Sequence, residues 1–255
     1  MLTIADASLI TVLIKTRVED RRNRDLLRQT WIEDLHKYNL QHSFLLGQCK
    51  SKECNNILQL ELSEHEDIIQ GDFIDAYLNN TLKFRMGLKY ITNHCDKSDY
   101  VLIIDGDYSL NVKRLLEYIE ELNYPKDLYA GRVWPNSPPF RDPENQHYMS
   151  YKFYPFQFLP PFIAAGASLL STNLLQNMSI IAHYTKYVPY DDVFYGMVAR
   201  KLNISLTDAT HLIPSFVVPK INETNIHRNL IGSHRFGNLT EVEMIHHIIH
   251  DTANQ

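Results

Sequence analysis

Val101-Leu102-Ile103-Ile104-Asp105-Gly106-Asp107-Tyr108 is a run of four apolar, mostly β-branched residues that ends in two carboxylates with a glycine between them. A run of this kind reads as a short buried strand. The period of an extended chain sends residues 105 and 107 to the same side, and Gly106 leaves room for a large ligand to approach the backbone. Two oxygen donors at the carboxyl end of a buried strand suit a hard cation such as Mn²⁺ or Mg²⁺, and such a cation suits a diphosphate. An Asp-Gly turn that merely closes a strand accounts for the same residues, so the surrounding chain has to decide.

Ahead of this stretch, Leu9–Ile14 reads as an opening buried strand, too short to span a bilayer. The spacing of Leu27, Trp31, Leu35 and Tyr38 predicts one helix over Asp20–Tyr38, with arginines at 21, 22, 24 and 28. Ser43–Gly47 reads as a second strand and Ile57–Leu62 as a third. Phe73, Tyr77, Thr81, Phe84, Leu88 and Ile91 predict a helix over Asp72–Thr92. After the motif, Val112 to Leu122 is helical in pattern with Asn111 as its N-cap. Residues 134–162 are rich in proline and aromatics and read as irregular chain over the sheet end, where a substrate groove could lie. Ile163–Ser171 returns to close-packed apolar chain. Pro189-Tyr190-Asp191-Asp192-Val193 precedes a helix, and Thr240–Glu243 is a capping box opening a last one. Strands alternating with helices predict an α/β fold with a mostly parallel central sheet, formed as a single domain over 1–255 with loose ends at 1–8 and 251–255.

The 255 residues are 44% hydrophobic and carry a net charge of -5, enough to bury a core and without the dense basic stripe of a nucleic-acid binder. Cys49, Cys54 and Cys95 make no zinc pattern and allow at most one internal disulfide. Five N-x-S/T sequons, at Asn79, Asn177, Asn203, Asn222 and Asn238, lean towards a lumenal or secreted chain, with accidental matches as the alternative.

Several residues beyond Asp105 and Asp107 could carry chemistry. Asp191 and Asp192 sit where one aspartate caps a helix, while the second could project into a groove as a general base. His234 lies in the 232–237 loop, where an imidazole could complete a metal site begun by Asp107; His246, His247 and His250 read as surface or packing residues of the last helix. Arg24 and Arg28, one turn apart, could face a phosphate or a uracil edge or simply lie in solvent. Lys83 could reach the groove or snorkel.

Taken in order, these pieces resemble the β1,3-galactosyl- and N-acetylglucosaminyltransferases of glycosyltransferase family 31, over nearly the whole chain. Arg24-Asp25-Leu26-Leu27-Arg28-Gln29-Thr30-Trp31 is similar to the family's R-x-x-I-R-x-T-W, and Phe44–Gly47 to its F-x-x-G. The most specific match is Glu64 to Lys83, through Asp67, Asp72, Phe73, Asp75, Tyr77, Asn79, Thr81 and Lys83. Leu159-Pro160-Pro161-Phe162 stands where the family has Y-P-P-Y, and Asp191–Gly196 where it has E-D-V-x-x-G.

The resemblance implies a GT-A-like nucleotide-binding sandwich whose D-x-D holds Mn²⁺ against the diphosphate of a UDP-sugar donor. By position it makes Asp107 the main metal ligand with Asp105 in support, His234 the late histidine ligand, and Asp192 the base of an inverting β1,3 transfer to a glycan acceptor on glycoprotein or glycolipid. It implies a type II membrane protein facing the Golgi lumen, although this sequence shows no anchor. Three departures stand out. Gly106 replaces the middle of three aspartates, near the donor's ribose and sugar; the family's K-W is replaced near Gln146-His147; and its glycine-rich, tyrosine-bearing continuation is here Ala165-Gly166-Ala167-Ser168. Gly106 is also the best argument for the rival reading, a catalytically silent glycan- or nucleotide-binding relative. A phosphatase with Asp105 as nucleophile would want its motif after the first strand, not mid-chain.

Overall fold

The computed structural model describes residues 9–94, 98–214, 220–234 and 239–250. The chain opens with β1 (Ile10–Lys15), α1 (Arg21–Arg28), α2 (Trp31–Lys37), β2 (Gln41–Gln48), α3 (Lys52–Glu64) and β3 (Ile68–Ile74). A 3₁₀ turn (Tyr77–Asn79) leads into α4 (Asn80–His94), followed by β4 (Tyr100–Asp105), β5 (Tyr108–Leu110) and α5 (Val112–Glu121). β6 (Tyr129–Trp134), β7 (Phe162–Ser171), α6 (Thr172–His183), α7 (Asp191–Lys201) and β8 (Thr207–Asp208) come next. The described chain ends in α8 (Thr224–Asn229), β9 (Gly232–His234) and α9 (Leu239–His250).

Seven strands form one sheet in the order β3-β2-β1-β4-β7-β6-β8. The first four are mutually parallel, β7 is antiparallel to β4 and β6, and β8 is parallel to β6. The expected α/β fold with a mostly parallel central sheet is therefore what forms. Both faces are covered. Ile10, Val12, Ile14, Leu102 and Ile104 pack with Leu27, Trp31, Leu35, Leu115 and Ile119 on one side. Leu13, Val101 and Ile103 pack with Phe84, Leu88, Met178, Phe194 and Val198 on the other. Each buried Val, Leu, Ile, Phe or Met side chain among them contributes about 1.5–3 kcal/mol of transfer free energy. Sheets covered on both faces read as continuous apolar runs, which is why β1 and β4 were visible in the sequence.

Three expectations need correcting. Residues 57–62 lie in α3, not in a strand: Ser51 caps that helix by accepting from the Cys54 amide at 3.1 Å, and Leu58 and Glu61, one turn apart, are its buried residues. The third strand is β3, and it takes the first residues of the helix expected from Asp72. Pairing with β2 holds it extended, and the Asp75 carboxylate then accepts from the Gly47 amide at 2.8 Å. The helix expected over Asp20–Tyr38 is two, broken at Thr30, whose hydroxyl donates back to the Leu26 carbonyl at 2.9 Å. Asn111 caps α5 as expected, accepting from the Arg114 amide. α9 starts at Leu239, so Thr240 lies in its first turn, and the segment 235–238 that includes sequon Asn238 is outside the described residues, as are Cys95 and the expected loose ends. Residues 135–161 contain no helix or strand; Arg141 gathers them by donating to the carbonyls of Met149, Tyr154 and Phe156.

Candidate active site

β1 and β4 are neighbours in register, with Lys15 opposite Asp105, so both side chains emerge on the same face at the carboxyl end of the sheet. Lys15 Nζ lies 3.0 Å from Asp105 Oδ1, donates to Asp191 Oδ2 at 2.7 Å, and donates to the Ala165 carbonyl at 3.0 Å. Burial alone would discharge this ammonium, but Asp105 and Asp191 outweigh it and hold the Lys15 pKa above its usual value. One buried cation thereby ties the D-x-D strand to the N-terminus of α7. Lys15 was missed in the sequence because a lysine ending a strand reads as its solvent-facing terminus.

The chain turns at Gly106 and Asp107, so the two aspartates serve different partners. Asp105 stays with Lys15; its carboxyl is pushed up to about 6 by burial, against the pull of Lys15 and with repulsion from Asp107 and Asp191. Asp107, half-exposed, has Oδ2 3.1 Å from His234 Nε2. What brings His234 there is a two-stranded ribbon, β5 against β9, with Tyr108 opposite His234 and their rings stacked at 4.5 Å. Trp31 steadies the ribbon by donating from Nε1 to the Tyr108 carbonyl at 3.0 Å. A carboxylate oxygen and an imidazole nitrogen suit Mn²⁺, and neighbouring ligands of an octahedral ion lie roughly 3 Å apart, so these residues fit a divalent cation.

On α7, Asp191 is buried against Lys15, whereas Asp192 is only partly buried, its Oδ1 accepting from the Val193 amide at 2.7 Å. Burial first and Asp191 second push the Asp192 carboxyl up to about 7. That is the tuning a general base near neutral pH requires.

A cavity of about 600 Å³ opens beside these groups, lined in part by Lys15, Thr16, Asn23, Asp75, Tyr77, Lys83, Asp105, Gly106 and Asp107. Its size is that of a site for a nucleotide-scale ligand. Lys83 lies deep in the wall, 2.8 Å from Asp75 and donating to the Thr16 carbonyl; burial outweighs Asp75 and lowers its pKa. Asn23, not singled out in the sequence, donates from Nδ2 to the Gly106 carbonyl at 2.9 Å, and its buried Oδ1 accepts no hydrogen bond among the described residues. Such an orphan acceptor on a cavity wall wants an N–H or O–H from a ligand. At Gly106 a Cβ would meet Thr16 Cγ2 at 2.4 Å and Asn23 Nδ2 at 3.1 Å, so the space of a side chain there is filled by neighbours.

Arg24 and Arg28 do not reach the cavity as ligands. Arg24 is fully buried, forks onto Glu61 at 2.8 and 2.6 Å, and donates to the carbonyls of Arg17 and Val18. Arg28 pairs with Asp67, Glu61 and Asp25. The guanidinium fork matches carboxylate geometry as well as phosphate, and the buried Glu61 of α3, with the partly buried Asp67 and Asp25, takes these donors. Their effect on the cavity is indirect: Arg24 pins the 16–18 loop that forms part of its wall. The sequence also gave no sign that His246 and His250 meet Asp34, because their four-residue spacing is legible but the partner lies on α2.

Comparison with known proteins places the chain in a family. The galactosyltransferase family model matches residues 22–210. A β-1,3-galactosyltransferase of Drosophila melanogaster, brn, is 33% identical over 244 residues, covering 92% of this chain and 73% of the relative. A lactosylceramide 1,3-N-acetyl-β-D-glucosaminyltransferase of Xenopus laevis is 30% identical over 209 residues, 77% of this chain and 55% of that protein. In fold, the chain resembles a solved glycosyltransferase involved in glycosylating the major capsid of PBCV-1, with a TM-score of 0.50, 11% identity and coverage of 94% and 98%. The chain belongs to the galactosyltransferase family and is a hexosyltransferase.

Proposed function

We propose that this protein transfers galactose or an N-acetylhexosamine from a UDP-sugar to a glycan hydroxyl in β1,3 linkage, with inversion and with the help of Mn²⁺ or Mg²⁺. The observation that carries the reading is the meeting, at one end of the sheet, of the Asp107–His234 pair and the Lys15-tethered Asp105–Asp191 pair, beside a cavity of about 600 Å³. Asp107 and His234 would hold the divalent ion, with Asp105 behind them. When bound there, such an ion supplies positive charge beside the departing diphosphate. Asn23, with its free acceptor, and Lys83 would recognise the nucleotide from the cavity wall.

Asp192 accepts the proton of the acceptor hydroxyl, whose oxygen bonds to the donor's anomeric carbon as the bond to UDP breaks. Lys15 keeps Asp191 in place and so fixes the α7 terminus that carries Asp192. The acceptor is met by aromatic surface: His147 lies against Tyr77 and Tyr190, and Phe140, Tyr151, Phe156 and Phe158 are exposed on the same irregular segment. Aromatic faces suit the apolar sides of sugar rings. The domain is read as one catalytic unit over 1–255. The Cys49–Cys54 disulfide supports an oxidising compartment, in line with a Golgi-lumen enzyme. Among the described residues no helix is long and apolar enough to cross a membrane.

The test is a screen of UDP-galactose, UDP-N-acetylgalactosamine and UDP-N-acetylglucosamine against glycan acceptors, read by released UDP and by the linkage of the product. Transfer that needs Mn²⁺ or Mg²⁺, stops with EDTA and is lost in Asp107→Ala supports the proposal. Binding of UDP-sugar that ignores metal and persists in Asp107→Ala, without transfer, defeats it.

A further inference from the structure

His246 and His250 are one helical turn apart on α9, so both rings lie on the same face. That face meets Asp34, a buried residue of α2. Asp34 Oδ2 lies 2.6 Å from His250 Nε2 and 3.6 Å from His246 Nδ1, and one ligand atom from each residue falls within 4.8 Å of the others. An ion pair between Asp34 and His250 accounts for the shorter distance but not for the second ring. His246 Nδ1 is buried and takes part in no hydrogen bond among the described residues. Native interiors seldom leave such an atom without a partner.

We propose that Asp34, His246 and His250 form a Zn²⁺ site, separate from the donor-sugar machinery. Two imidazole nitrogens and one carboxylate oxygen are a ligand set suited to zinc, whereas Mg²⁺ and Ca²⁺ prefer oxygen alone. The carboxylate is already oriented: Lys37 Nζ holds Asp34 Oδ1 at 2.8 Å, leaving Oδ2 for the ion. Three protein ligands leave a fourth position for water. Space for it exists in a cavity of about 210 Å³ lined by Asp34, Asn111, Arg114, Arg228 and His250 among others. The site would fasten α9 to α2. Because α9 also packs on β5, and β5 pairs with the strand that carries His234, zinc here would stiffen the ribbon behind the proposed donor site.

The experiment uses the full chain with Asp107→Ala and His234→Ala in place, so that those donors cannot compete. The protein is stripped with EDTA, titrated with ZnCl₂ by calorimetry, and analysed for bound metal. One zinc per chain, with a rise in Tm that EDTA reverses, is the expected result. Adding His246→Gln and His250→Gln should lower affinity by more than ~100-fold, and Lys37→Ala by ~10-fold. Undiminished zinc in the His246→Gln, His250→Gln protein, or no zinc in its parent, overturns the proposal. If the multiple variant fails to fold, Co²⁺ replaces Zn²⁺ in the Asp107→Ala, His234→Ala protein. Intense four-coordinate d–d absorption supports the site, and only the weak bands of a six-coordinate ion reject it.

Discussion

At the scale of single residues, the two aspartates of the D-x-D motif have separate partners. Asp105 is locked to Lys15, while Asp107 faces His234. Replacing Asp107 or His234 by Ala should abolish metal-dependent transfer and leave the fold intact, as judged by circular dichroism. Asp192→Asn should lower kcat by ~10²–10⁴, the usual contribution of a positioned base. Because burial and Asp191 raise the Asp192 carboxyl to about 7, its carboxylate form, the one the proposed base needs, predominates only above that value. The kcat/KM of the wild type should therefore fall as pH drops through about 7, and a flat profile from 5.5 to 8 would argue against Asp192 as base. Gly106→Asp, which restores the family's aspartate, should not improve donor binding. Its Cβ would run into the Thr16 methyl, costing ~1–3 kcal/mol in a urea melt.

Among the elements, α1 and α3 are joined by charge. Arg24 and Glu61 are both fully buried, and Arg28 and Asp67 extend the network. Removing one partner strands a buried charge, so Glu61→Ala should cost ~3–5 kcal/mol and loosen the 16–18 loop. Burial raises the Glu61 and Asp67 carboxyls, but their arginine partners outweigh it and leave both below their ordinary values, with His42 assisting at Asp67. Stability from these depressed groups is present above the ordinary carboxylate range and lost as pH falls through and below it. Urea midpoints measured from pH 6 to pH 3 should decline more steeply in the wild type than in Glu61→Gln; parallel declines would remove the network as the cause. The network also explains why Arg24 and Arg28 misled a reading by motif, since a matching residue type says nothing about which acid the fold will bring to it.

For the whole molecule, the proposed site exists only when remote stretches of chain meet. Lys15 reaches Asp191 across a sequence separation of 176, and β9 returns from the far end of the chain to pair with β5. Ligand that binds only this assembled state should stabilise all of it. UDP with Mn²⁺ at 100 times its Kd adds ~2.7 kcal/mol, a rise in Tm of about 5–10 °C for a chain of this size. EDTA should remove most of that rise, and a shift that survives EDTA would show that UDP binds without metal.

Local pattern alone established the buried strands β1 and β4, the alternation that makes an α/β sheet, the cap at Asn111 and the motif itself. These are properties of neighbouring residues: apolar runs, periodicity and a side chain three positions from the amide it caps. The family likeness gave the candidates already picked out, Asp107, His234 and Asp192, their expected roles. Tertiary structure decided what depends on partners: that residues 57–62 lie in a helix with Leu58 and Glu61 turned inward, that Arg24 answers Glu61, that Lys15 joins Asp105 to Asp191, and that His246 and His250 meet Asp34. Burial and charge pairing act through space between groups far apart along the chain, and no local period records them.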